Sequence, residues 1–263
     1  MDSGKPVALV VGSEGGIGRC TCQLLADKWS VIAMDRKPSE VDRAESVVID
    51  ITHRDAVRNY AAGFIKSGRK VDALIFSAAV HSTHPAEFLE DAQIDSVLDA
   101  NLSSHIKLIR DFLPVIQNGG SIVGISSIAA AVGVPMSSMY SASKKGLEGF
   151  YESLRTELAY RRIRVSVVHP GNVNTGFNET GNTYVPGRHP VVDENYFRVV
   201  SKIDSRYGMA PEAVASAVVR ILGKKHPRFC YVTGMNAKKA NWAKKLLGRD
   251  LAIWLMGKFF GVR

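Results

Sequence analysis

Cysteine is scarce. The three present in 263 residues, Cys20, Cys22 and Cys230, are an odd and sparse set that does not suit a disulfide framework. Cys20 and Cys22 fall in a predicted helix, where side chains two apart diverge, so a reducing, cytoplasmic setting is expected. Seven histidines are scattered, none beside a cysteine or carboxylate at ligand spacing, and no metal site is expected. An uninterrupted apolar run of about 18 residues is missing, which argues against a spanning helix. The opening "MDSGKPVALVVG" lacks a basic region followed by a long apolar stretch, so no secretory leader is expected. Acidic residues run out toward the end of the chain. From Lys238 onward, Lys238, Lys239, Lys244, Lys245, Arg249, Lys258 and Arg263 face Asp250 alone, which puts +6 of the formal net charge of +9 in this tail. The basic character is therefore a property of the tail and not of a nucleic-acid-binding body.

What is present is strongly patterned. Apolar runs of strand length, at 6–12, 31–35, 46–50, 72–78, 120–127, 164–171 and 228–232, alternate with amphipathic helical stretches near 16–29, 53–66, 91–117, 138–161 and 211–222. Continuous Val/Ile/Leu strands separated by helices predict a parallel sheet covered on both faces. The fold class is α/β, a doubly wound, Rossmann-like sheet in a single domain. Residues 1–235 form this unit, with an irregular substrate loop at 172–208, and 236–263 form a basic amphipathic tail.

The first strand runs into "VGSEGGIGRC". Glycines at 12, 16 and 18 permit a tight turn and close approach of backbone to a pyrophosphate, which the following helix N-terminus attracts. Gly12, Ser13, Gly16, Ile17 and Gly18 are assigned to a dinucleotide. Asp35, at the end of the second strand, suits ribose hydroxyls and repels a 2′-phosphate, favouring NAD. Arg36 beside it keeps NADP open. Asp50, followed by Ile51, ends the third strand and is placed to reach adenine or to cap the next helix.

Tyr140 and Lys144, in "MYSASKKGL", stand i, i+4 on one helix face. An ammonium near a phenol favours the phenolate, so Lys144 is expected to lower the pKa of Tyr140 toward the working range of a general acid–base. The bare pair also fits a solvated helix face. Ser127 closes the fifth long strand thirteen residues earlier, at the ligand-binding edge of a parallel sheet. Asn101 is a polar amide inside a predicted helix and is expected to carry a water leading to Lys144.

These residues together resemble the short-chain dehydrogenase/reductase family, from Val7 to about Thr233. The resemblance implies a tetrad of Asn101, Ser127, Tyr140 and Lys144, with Lys144 also bonding the nicotinamide ribose. It implies that Pro170, Gly171, Val173 and Thr175, in "HPGNVNT", lie along the nicotinamide and phosphates. Two departures stand out: Val11 where Thr is usual, and Phe76, Ser77, Ala78, Ala79 where Asn-Asn-Ala-Gly is usual. Ser77, Ala78 and Ala79 still suit contact with the cofactor.

The implied activity is NAD(P)-dependent hydride transfer between a secondary alcohol and its ketone. The segment 129–139 is small and apolar, so a hydrophobic substrate is expected, and His81, His84, Asn178, Tyr184 and His189 are candidates for its entrance. The family usually forms homodimers or homotetramers. Rival readings are a non-catalytic nucleotide-sensing regulator, a dehydratase or epimerase, an enoyl reductase, and a membrane-associated lipid or steroid dehydrogenase. For the tail, the apolar stripe Leu247, Leu251, Trp254 and Leu255 fits docking on protein or an amphipathic helix peripheral to an anionic membrane.

Overall fold

The computed structural model describes residues 4–177, 182–204 and 208–262. Seven parallel strands form the central sheet in the order β3-β2-β1-β4-β6-β7-β9. They are β1 (Val7–Val11), β2 (Ser30–Asp35), β3 (Ala44–Val48), β4 (Val71–Phe76), β6 (Ile116–Ile125), β7 (Arg164–Pro170) and β9 (Cys230–Thr233). The helices are α1 (Gly16–Leu25), α2 (Arg54–Lys66), α3 (Asp91–Leu98), α4 (Ser104–Phe112), α5 (Ile128–Ala131), α6 (Ser138–Glu157), α7 (Pro190–Ile203), α8 (Pro211–Leu222) and α9 (Met235–Phe260).

Alternation along each strand sorts side chains into two cores. Leu9, Val11, Ile32, Leu74 and Phe76 pack beneath α2, α4 and α6. Ala8, Val10, Ala33, Ala73 and Ile75 pack against α1 and α8. Strands buried on both faces are why the runs read as continuously apolar. The winding starts at β1, moves outward through β2 and β3, then returns to β4 on the other side. The crevice between the ends of β1 and β4 is therefore the switch point, where such sheets bind ligands.

Several elements differ from expectation. Helix α4 stops at Phe112 and gives way to a 3-10 turn over Leu113–Val115, because Pro114 cannot continue it. The edge strand β3 lies at 44–48, two residues earlier than its hydrophobicity suggests, and pairs with β2 alone. The stretch 172–208 is not simply irregular: it contains the fourteen-residue helix α7, started by Pro190 and by Asp193 in its first turn. Two short strands, β5 (Ser82–Thr83) and β8 (Asn182–Thr183), pair in parallel and tie the segment after β4 to the loop after β7. Helix α9 bends at Gly248, whose φ of 78° and ψ of 174° are outside the helical region.

Candidate active site

The glycine turn is a close-packed joint. A Cβ on Gly12, whose φ is 82°, would lie 2.4 Å from the backbone nitrogen of Ala78, and one on Gly18 would lie 1.9 Å from the carbonyl oxygen of Gly12. The amide nitrogens of Ser77 and Ala78 donate to the Val11 carbonyl at 2.8 and 3.1 Å. The departure from the usual segment after β4 thus leaves its backbone pairing in place. A Cβ on Gly16 would meet the Thr175 side chain at 2.6 Å, so Thr175, far away in sequence, stands at the N-terminus of α1. Ser13 Oγ is buried and has no hydrogen-bond partner. An amide-lined turn with glycines where any side chain would intrude, plus an orphaned hydroxyl, fits a dinucleotide pyrophosphate.

Asp35 ends β2, and its carboxylate accepts hydrogen bonds from the backbone of Glu14 at 3.0 Å and of Lys37 at 3.3 Å. Arg36 is exposed. Asp50 accepts from the Thr52 backbone and hydroxyl at 2.9 and 2.7 Å. Burial raises its pKa, but these bonds and the nearby cations outweigh that and hold it below the usual carboxylate value. Ile51 is buried beside it.

Four residues meet at the carboxyl edge of the sheet. Tyr140 is only 9% exposed. Burial pushes its pKa up to about 12, against the pull of a hydrogen bond with the Ser127 side chain. Ser127 also caps α5, its hydroxyl accepting from the Ala129 amide at 3.1 Å. Lys144 lies on the same face of α6 with its Nζ 5.7 Å from the Tyr140 ring centre. That ammonium donates to the Ile125 carbonyl at 3.1 Å, and burial lowers its pKa to about 8. Desolvation therefore outweighs the lowering expected from Lys144, whose ammonium is bonded to a backbone carbonyl, and the phenol stays above its ordinary pKa.

Asn101 sits in a π-helical turn, Asp99–Ser103, between α3 and α4. Its amide accepts from the Val80 nitrogen at 2.7 Å and donates to the Val80 carbonyl at 2.9 Å and Ser143 Oγ at 3.2 Å. The side chain thus locks the segment after β4 to α6. Single π turns concentrate at functional sites.

The front of the site is aromatic. The His81 ring meets Tyr140 edge-on at 4.9 Å, and Phe177 lies 5.6 Å from His81 and 6.0 Å from Tyr140. His81 is held neutral by burial, its pKa near 4. Phe177 is a wall residue that no sequence signal indicated. Tyr184 does not face the tetrad: it packs on His84, Phe88 and Tyr196 and donates to Asp193 at 2.7 Å, organising the segment that leads into α7. His189 is exposed at the start of α7, and Asn178 lies outside the described residues. The loop after α5 is pinned where the His84 amide donates to the Met136 carbonyl at 2.5 Å. Met136 there adopts φ 58°, a left-handed conformation that costs about 1–3 kcal/mol. Pro170 ends β7, the Gly171 amide bonds the Thr233 carbonyl at 3.0 Å, and Val173 bridges to Met209. Among the described residues no cluster of His, Cys, Asp or Glu is suited to hold a metal.

The short chain dehydrogenase family matches residues 6–184, and the chain belongs to that family. It is accordingly an oxidoreductase of CH–OH and keto groups that binds NAD(P). A 3-ketodihydrosphingosine reductase of Bacteroides thetaiotaomicron is 28% identical over 248 residues, 90% of this chain and 92% of that one. A short-chain dehydrogenase from Streptomyces avermitilis is similar with a TM-score of 0.82 at 25% identity, covering 98% of this chain and 99% of its own. One from Burkholderia cenocepacia, crystallised with NADP, has a TM-score of 0.77 at 25% identity, covering 95% and 97%. The rival reading as a non-catalytic regulator is not favoured by these relatives.

Proposed function

We propose that the protein reduces a hydrophobic ketone to a secondary alcohol, or runs the reverse, with Tyr140 as the general acid–base. The observation that carries this reading is the buried Tyr140 phenol, hydrogen-bonded to Ser127 and one helical turn from Lys144. With its pKa near 12, the phenol holds its proton at neutral pH. The resting site is thus set up as an acid, suited to protonating a carbonyl oxygen. Ser127 donates to the same oxygen and orients it. The proton leaves Tyr140 O, and the Lys144 cation stabilises the phenolate that remains. Asn101 acts through position, holding the 77–80 segment against the glycine turn.

Gly12, Ser13, Gly16, Ile17, Gly18 and Thr175 would hold the pyrophosphate, Asp35 the adenosine ribose, Asp50 with Ile51 the adenine, and Ser77 to Ala79 with Pro170, Gly171 and Val173 the nicotinamide end. When bound, the dinucleotide supplies or accepts the hydride. The Asp35 carboxylate, fixed by two backbone amides, favours NAD over NADP. Titration with both reduced cofactors tests this: NADH should bind at least tenfold more tightly, and preference for NADPH would assign the 2′-phosphate to Arg36.

The apolar wall of Ala129 to Val132 and Phe177 supports an apolar substrate. The relative that reduces a ketosphingoid base makes a long-chain 3-keto lipid the first compound to try. Absorbance at 340 nm against long- and short-chain ketones tests the class. Turnover confined to small polar ketones would refute it. The reading extends to a homodimer or homotetramer through α4 and α6, which light scattering of the purified chain tests.

A further inference from the structure

The last third of the chain wears its apolar residues outward. Of sixteen large hydrophobic side chains exposed among the described residues, four (Leu24, Val48, Ile65 and Tyr160) belong to 4–177, and twelve lie between Val185 and Phe259. Ordinary surfaces scatter such residues singly. Here they follow helical spacing. In the second half of α9, Leu251, Trp254 and Leu255 are exposed at i, i+3 and i+4, and Lys258 at i+7 lies over the Trp254 ring at 5.5 Å. Ala252 and Phe260 are buried, while Ile253 and Phe259 beside them are exposed as well, so little of this half faces the body. In the first half, exposed Met235, Trp242 and Leu246 recur at i, i+7 and i+11, while Ala237 is buried. The body-facing side is narrow, and most of the large apolar side chains of the helix point away from the protein.

The roots of this helix are in the active site. A Cβ on Gly171 would lie 3.3 Å from the Cβ of Ala237, so α9 starts against the segment that follows β7. It also touches α5, which begins at Ser127. Its far end is fastened to α7: Arg198 donates to the Gly261 carbonyl at 2.8 Å, and the Lys202 ammonium stands 5.0 Å over the Phe259 ring. Exposed Val185, Val191 and Phe197 lie in or just before α7.

We propose that α9 is an interfacial anchor that seats the α5–α7 side of the active site on an anionic membrane surface, from which an apolar substrate enters. Its substrate clause rests on the reading above; its anchoring clause does not. Charge selects this occupant. An exposed apolar face flanked by cations, in a tail of net +6, complements anionic lipid. A two-fold contact between copies would instead place two such tails against each other, cation facing cation. Tryptophan and lysine are also the side chains suited to a headgroup boundary. Among the described residues no helix is long and apolar enough to cross a membrane, so the geometry is one of lying on the surface.

The test is flotation of the full chain with vesicles of phosphatidylcholine alone or with about a third phosphatidylserine. The chain should float with the anionic vesicles and stay down with the neutral ones. One cation near such a surface is worth about a fivefold factor, so Lys238→Ala with Lys239→Ala should weaken partitioning roughly 25-fold. Leu251→Glu with Trp254→Glu should abolish it while the melting temperature holds. A dye on Phe197→Cys should shift to the blue with anionic vesicles, and one on Tyr160→Cys should not. Equal flotation with both vesicles, no flotation, or a dimer lost in the Leu251/Trp254 variant without any lipid binding would overturn the proposal. A shift at 160 but not 197 would overturn the orientation. None of these readouts requires turnover, so failure of the redox reading would show separately, as lack of turnover at 340 nm.

Discussion

The nucleotide side and the substrate side of this molecule obey different rules. Around Gly12, Gly18 and Ala78 the backbones approach so closely that an added methyl would overlap them. Around Tyr184, Phe177 and α9 the contacts are made by side chains, many partly open to solvent. The first region is determined by what cannot fit, the second by which surfaces find partners. A site assembled at their junction combines a rigid cofactor seat with a wall whose composition sets the substrate.

That contrast can be tested by substitution. The largest effect is expected at the joint: Gly18→Ala puts a Cβ where only 1.9 Å separates it from the Gly12 carbonyl oxygen. It should lose about 3 kcal/mol of stability or more, and cofactor binding with it, by denaturant melts and NADH fluorescence. Leu74→Ala, in the fully buried β4, should cost about 3 kcal/mol. Leu251→Ala, 42% exposed, should change stability by less than about 0.5 kcal/mol. Equal losses at 74 and 251 would erase the distinction between the two regions.

Lys144 lies at the junction and supplies a pH signature. Its folded pKa, near 8, is depressed by burial from the ordinary value of 10.5. Between those values the unfolded chain carries the extra proton, so this group's contribution to stability rises with pH. From pH 8 to 9.5 wild type should gain about 1.5 kcal/mol relative to Lys144→Met, read from paired denaturant melts. Parallel slopes for the two proteins would show the ammonium to be well solvated.

The same contrast explains what the sequence disclosed. The glycine turn, the continuous apolar strands and the Tyr140–Lys144 pair are local patterns, each tied to a rigid geometry, and the structure brings them to one sheet edge. Phe177 and the two-residue pairing of β5 with β8 depend on contacts between segments about a hundred residues apart, and nothing local announces them. Helix α7 did have signals, Pro190 and Asp193, but the density of Gly and Pro before it obscured them. Edge strand β3 begins two residues before its apolar run because Ala44 and Glu45 pair with Val31 and Ile32 through the backbone, which side-chain hydrophobicity does not report. The hydrogen-bond partners of Asn101 and Lys144, Val80 and Ile125, are likewise contacts that spacing alone cannot name.

The central claim is that one buried phenol transfers the proton. Tyr140→Phe removes that hydroxyl and leaves the ring packed against His81 and Phe177. With a ketone substrate and reduced cofactor, absorbance at 340 nm should show turnover falling at least a hundredfold, while NADH binding stays within about twofold of wild type. A variant that keeps more than about a tenth of wild-type turnover would contradict the account, since removing a general acid should cost far more.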